Sequence, residues 1–263
     1  MSKANPILVV IPYCSDGSQG RELEYAVAGW RKHFKEDYLI VLAGEDHPIT
    51  KTGDDIVCVP SPRVEAREGQ YRQHLDYVSC FRKVHEAFPK SKGYIRVADD
   101  CYAVRDFDMQ DVLTRKCISH EVGINPFATP GSWAGDQRKT RDKLLADGYP
   151  VVNFTTHLPQ WFEWKKIEAL WEKYHMDETS YVDELLYYNI YEGNRAAINV
   201  HSEDQPYKCG VYRSNPSIDY IERCIGKRIW ITNSPDGWVP QLDAILNKYY
   251  FGAGDWVFTN LAE

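Results

Sequence analysis

The stretch Tyr94-Ile95-Arg96-Val97-Ala98-Asp99-Asp100-Cys101-Tyr102 carries an apolar strand pattern that stops at two adjacent carboxylates and resumes on an aromatic. Asp is depleted inside sheets and favoured in turns, so this is a poor core strand and a good way to present acids at a strand end. Side chains alternate faces along a regular strand, and two neighbouring acids act together only where a turn re-aims them. Oxygen ligands of this kind suit Mg2+ or Mn2+, ions that keep some waters and complete their shell from substrate phosphates. Taken alone, the pair fits a solvated strand-to-loop turn equally well.

Upstream, β-branched runs alternate with helical spacing. Ile7 to Ile11 reads as a strand closed by Pro12, and Arg21 to Phe34 places Leu23, Val27, Trp30 and Phe34 at helical intervals. Residues 12–20 between them are rich in turn formers and lie at the carboxyl end of the first strand, where open α/β sheets bind ligands. Strands are expected at Tyr38 to Ala43 and Ile56 to Val59, then a long helix over Gln70 to Phe88 that Pro89 ends. This alternation predicts an α/β fold, a single Rossmann-like domain with a mostly parallel central sheet flanked by helices. Downstream the pattern loosens into a mixed helical region. Helices are expected near 108–113, 137–146, 161–174, 179–192 and 239–250, strand or turn segments at 197–200 and 229–232, and a Pro- and Gly-punctuated loop over 125–135. With no repeat or low-complexity linker, residues 1–263 are expected to form one domain, with 1–105 and 106–263 as its two halves.

A chain of 263 residues with 43% hydrophobic and 26% charged residues can bury a substantial core. Its net charge of −7 argues against a nucleic-acid partner, which needs clustered Lys and Arg. Seven cysteines, odd in number and never spaced Cys-x-x-Cys, fit reduced, packed thiols better than a disulfide framework or a zinc site. The start, Met-Ser-Lys-Ala-Asn-Pro, lacks the apolar run of a signal peptide, and no window approaches the roughly 18 apolar residues of a membrane span. A cytoplasmic protein without a transmembrane segment is expected, with peripheral membrane contact left open.

The strand-and-helix array that opens on Ile-Pro-Tyr and leads to the acids resembles the GT-A-type glycosyltransferases, and more closely a bacterial group of small glycosyltransferases. The matching pieces are Glu22-Leu23-Glu24-Tyr25, the long helix before the acids, Ala98-Asp99-Asp100-Cys101-Tyr102, Thr156-His157-Leu158-Pro159 and Gly237-Trp238-Val239-Pro240-Gln241-Leu242-Asp243. Together they span most of the chain, and their order carries the likeness. The resemblance implies metal-assisted transfer of a sugar from a nucleoside diphosphate, a UDP-sugar by preference, to a hydroxyl of a glycan or lipid-linked glycan in polysaccharide biosynthesis. Its Asp-x-Asp element would hold Mn2+ or Mg2+ and the diphosphate. Here Ala98 stands where that element has its earlier acid, so Asp100 is the expected metal ligand and Asp99 faces the donor's ribose or sugar hydroxyls.

A single carboxylate needs help, and His157 and His201, each after an apolar or β-branched run, are candidate further ligands. For the base that takes the acceptor's proton, Glu184 comes first and Asp183 second, because the acidic pair at this helix start is similar to the one supplying the base in inverting members; acids there also complement the helix dipole. Pro12 and Tyr13 would flank the nucleotide base, and Asp46 resembles the acid that reads the uracil edge. Arg21 and Arg72 are candidates for the diphosphate, or solvated helix residues. Trp133, Trp161 and Trp238 could stack on acceptor sugars, although Trp161 and Trp164 at helical spacing also read as packing. Two other functions fit the same scaffold: a sugar-phosphate nucleotidyltransferase, which would prefer a Lys- and Arg-bearing loop after the first strand, and a carbohydrate- or nucleotide-binding protein without turnover.

Overall fold

A computed structural model of the protein describes residues 6–45, 49, 53–119, 128–193, 195–213 and 216–252. The first strand, β1 (Ile7–Tyr13), runs through the centre of a sheet and is apolar on both faces. Val9 and Ile11 pack into one core cluster while Leu8 and Val10 pack into another. That is the two-residue alternation of a strand covered by helices on both sides.

The chain continues through α1 (Glu22–His33), β2 (Tyr38–Gly44), β3 (Ile56–Pro60), α2 (Arg72–Ala87) and β4 (Gly93–Arg96). β2 and β4 pair with β1 in parallel, and β3 pairs with β2 in parallel. The expected alternating α/β pattern is therefore present, with boundaries within a few residues of those read from the sequence. α1 buries Leu23, Tyr25, Ala26, Val27 and Trp30 against one face of the sheet, and α2 buries Leu75, Val78, Phe81 and Val84 against the other.

After β4 the chain passes β5 (Cys101–Ala103), α3 (Met109–Leu113), β6 (Lys116–Cys117), α4 (Trp133–Ala146), β7 (Gln160–Glu163), α5 (Trp164–Lys173) and α6 (Asp183–Glu192). It closes with β8 (Ile198–Asn199), β9 (Lys208–Val211), α7 (Ile218–Ile225), β10 (Trp230–Asn233) and α8 (Pro240–Phe251). β7 adds to β4 antiparallel, giving the central order β3-β2-β1-β4-β7. A second sheet has the order β5-β10-β9, and β6 pairs with β8. Segments from both halves of the chain thus complete each of the two larger sheets.

Several elements differ from the sequence expectation, the short β6 among them. Trp161 lies in β7 rather than in a helix, paired with Ile95, and the helix begins only at Trp164. β9 and α7 were not foreseen at all. All seven cysteines are free, as expected for packed thiols. Among the described residues no helix is long and apolar enough to cross a membrane.

Candidate active site

The central order determines where a ligand can enter. From β1 the chain winds outward through β2 to β3, then returns to place β4 on β1's other side. The loops that follow β1 and β4 therefore leave in opposite directions and open a crevice at the carboxyl ends of the strands. A cleft of ≈ 1150 Å3 occupies that position, lined by Pro12 and Tyr13 after β1 and by Asp99 and Asp100 after β4. It is large enough for a dinucleotide-sized ligand.

The opening stretch is divided where its pattern breaks. β4 ends at Arg96, Cys101 N–H donates to the Ala98 carbonyl at 3.2 Å to close a turn, and β5 then joins the other sheet antiparallel to β10. The turn brings both carboxylates onto the cleft. Glu22, from the first turn of α1, joins them; the sequence reading had used it only as part of a motif. Asn233 at the end of β10 donates to Glu22 at 2.7 Å, Gln19 N–H donates to its other oxygen at 2.7 Å, and Tyr102 O–H donates to Asn233 at 2.6 Å.

These three acids share one charge environment. Burial, then the Glu22 charge, pushes Asp99 up to about 6. Asp100 is raised well above its ordinary value by burial first and by Asp99 and Glu22 next. Glu22 is raised by burial. Asp100 Oδ1 is buried and has no hydrogen-bond partner among the described residues. An orphaned buried carboxylate oxygen beside two other acids is costly unless a ligand supplies positive charge or donors.

The loop after β3 and the start of α2 bring cations to the same cleft. Arg63, Arg67 and Arg72 line the cleft. Arg63 is held by Asp76 at 2.9 Å and Asp16 at 3.2 Å, and Cys14 Sγ accepts from it. Arg67 and Arg72 are exposed and form no ion pair among the described residues. Arg63 and Arg67 carried no signal as a pair in the sequence, because they sit in a loop without periodicity.

Also lining the cleft, Arg96 pairs with both Asp183, at 2.5 Å, and Glu184. Glu184 lines the cleft, so the structure brings the first-choice base to the site, but with its carboxylate already engaged by a guanidinium. Asp183 is buried, and its second oxygen has no hydrogen-bond partner among the described residues.

His157 lines the same cleft in a left-handed backbone conformation, with φ of 56°, and its ring lies 5.7 Å from that of Trp133. Such a conformation is uncommon outside glycine, and it turns the side chain toward the crevice rather than along a strand. Although its side chain reaches the open cleft, the protein around it displaces solvent, and this, then the nearby Lys208 and Arg96 cations, lowers its pKa.

Other residues singled out from the sequence lie elsewhere. His201 is exposed on the turn after β8 and does not line the cleft. Arg21 ties α1 to α8, bonding Glu24 at 2.7 Å and Asn247 at 2.6 Å, and is not among the residues lining the cleft. Trp161 sits on β7, packed against the core. Trp238 packs on Tyr25 and against Gly20, where a Cβ would stand 2.9 Å from its ring, so its flat face is used internally. Of the three tryptophans, Trp133 faces the cleft. Asp46 lies outside the described residues. Among the described residues no group of three or more His, Cys, Asp or Glu is arranged to hold a metal ion.

A comparison of the sequence with protein-family models finds no match, and a comparison with curated proteins finds none either. Among solved structures, the crystal structure of a glycosyltransferase involved in the glycosylation of the major capsid of PBCV-1 is similar over 86% of this chain and 93% of that one, with 10% sequence identity and a TM-score of 0.40. A likeness of that degree assigns no activity.

Proposed function

We propose that the protein is a glycosyltransferase that moves a sugar from a nucleoside diphosphate, preferentially a UDP-sugar, to a hydroxyl of a glycan or lipid-linked glycan. One observation carries this reading. One cleft at the strand-order switch point is lined both by the carboxylates Glu22, Asp99 and Asp100 and by the guanidiniums of Arg63, Arg67 and Arg72, the last two exposed and in no ion pair among the described residues. Guanidiniums match phosphate oxygens geometrically, and carboxylates accept hydrogen bonds from sugar hydroxyls. In the transfer, the acceptor oxygen forms a bond to the anomeric carbon while the bond from that carbon to the diphosphate oxygen breaks. The leaving diphosphate gains charge, which the arginines stabilise. The preference for uridine rests on the sequence resemblance.

Asp100 Oδ1, without a partner among the described residues, is the feature that fits a divalent cation such as Mn2+ or Mg2+. Asp100 would hold it with Asp99 alongside, and without a cage of protein ligands the rest of its shell would come from water and the donor's phosphates. When bound, the ion supplies charge neutralisation to the diphosphate. Calorimetric titration with UDP, with and without Mn2+, tests the assignment of the arginines. Binding is expected for the wild type and expected to weaken by about tenfold in Arg72→Ala, the size of one lost charge-assisted contact. Equal affinity in the two proteins would remove the arginines from the reading.

A further inference from the structure

The transfer needs a proton acceptor, and a second group in the cleft is better placed for it than Glu184. His74, on the first turns of α2, lines the cleft and is otherwise buried at 5% exposure. Its Nδ1 lies 2.9 Å from Oδ2 of Asp136, which is itself 1% exposed on α4. Lys139 pairs with the other Asp136 oxygen at 3.0 Å, and its Nζ also donates to Ser180 at 3.0 Å. A buried carboxylate held by a lysine accepts from the imidazole Nδ1–H, which fixes the tautomer and leaves Nε2 as the free base. Nε2 makes no hydrogen bond among the described residues. Around the ring stand Asp136 of α4, with Lys139 on its other oxygen, and the rings of Tyr71, just before α2, and Tyr77 on α2, at 5.2 and 6.4 Å; the His74 charge also reaches His157 and helps to lower its basicity. Trp133, against His157, completes this side of the cleft with a sugar-sized flat face.

We infer that His74 is the general base of the transfer, with Asp136 as its positioning residue. This rests on the glycosyltransferase reading. The proton leaves the acceptor hydroxyl for His74 Nε2 as the acceptor oxygen bonds to the anomeric carbon and the diphosphate departs. Glu184, committed to Arg96, then only lines the cleft.

The test compares the full-length wild type with His74→Gln and Asp136→Asn, measuring UDP affinity by calorimetry and UDP release from UDP-sugars between about pH 5.5 and 8.5. In His74→Gln, UDP affinity is expected to stay within about threefold while kcat falls about 100-fold or more, the usual worth of a general base. A fall in rate toward acid is expected of the wild type; it should vanish in that variant and be displaced in Asp136→Asn. Because these buried substitutions could prevent folding, long-range proton–nitrogen NMR spectra of the unmodified protein give a second readout. His74 protonated on Nδ1 and unprotonated on Nε2 near neutral pH supports the dyad, and the opposite tautomer overturns it. A His74→Gln protein that keeps its kcat and pH profile overturns the dyad while leaving transfer intact. A wild type that neither binds UDP nor releases it from a UDP-sugar overturns the transfer reading, and the base assignment with it.

Discussion

Asp99 and Asp100 hold their protons more tightly than solvent-exposed aspartates, because burial and mutual repulsion, with Glu22 as a third negative charge, penalise the ionised forms. In the unfolded chain both return to about 3.9. Between that value and the raised folded values the native state binds more protons, so stability is greatest below the unfolded pKa and is lost as pH rises through about 6 for Asp99. Asp99→Asn should therefore melt higher than the wild type at pH 8, by about 2–4 °C for each kcal/mol of relieved repulsion, with the gap closing near pH 4. Thermal melts across pH check this; a gap that widens toward acid would contradict it. Mn2+ should raise the wild-type melting point at pH 8 and raise that of Asp100→Asn much less. Arg96 presents the opposite case. It is enclosed with Asp183 and Glu184, and Arg96→Ala would strand two buried carboxylates, at a cost of about 3–5 kcal/mol in urea unfolding.

Gly44 ends β2 beside Tyr13 of β1 with φ of 138°, and a Cβ there would stand 2.0 Å from the Tyr13 carbonyl oxygen. Gly44→Ala should destabilise by about 1–3 kcal/mol and, because Gly44, Pro12 and Tyr13 all line the cleft, should weaken UDP binding as well. Denaturant melts paired with calorimetry measure both. The elements before residue 97 were legible because each carries one dominant period: continuous apolar runs in β1 and β2, and helical spacing in α1 and α2. β7 was not, because Trp161 and Trp164 stand three residues apart and imitate a helix face, while the strand alternation over Gln160–Glu163 is too short to compete. α7 did leave a signal. Ser217 accepts from Tyr220 N–H as a helix cap, and an apolar face follows through Ile221 and Ile225. β9 had none, since its four residues gain their role by pairing with β10, distant in sequence.

The cleft gathers groups from α1, the loop after β3, α2, the turn after β4, α4 and α6, and its legibility depends on how far apart those segments lie in the chain. The acids at 99 and 100 announced themselves because they interrupt a strand, and Glu184 and His157 because their surroundings are apolar. The arginines at 63 and 67 did not, since a charged loop residue looks alike whether it faces a phosphate or water. His74 was hidden for another reason: it occupies an ordinary helical position, and its partner Asp136 lies 62 residues later, so only the fold joins them. Arg21 and Trp238 show the converse, conspicuous side chains spent on fastening α1 to α8 and on packing. What unites the assembled groups is one crevice, lined by the acids of α1 and of the turn after β4 and by the arginines of the loop after β3 and the start of α2. The measurement that bears most directly on that arrangement is a screen of nucleoside diphosphate sugars, with and without Mn2+, following nucleotide release by the wild type and by Asp100→Asn. Release from a UDP-sugar by the wild type, reduced about 100-fold or more in the variant, is the outcome expected of a donor site built around Asp100. No release from any nucleoside diphosphate sugar, or equal release by the two proteins, would contradict it.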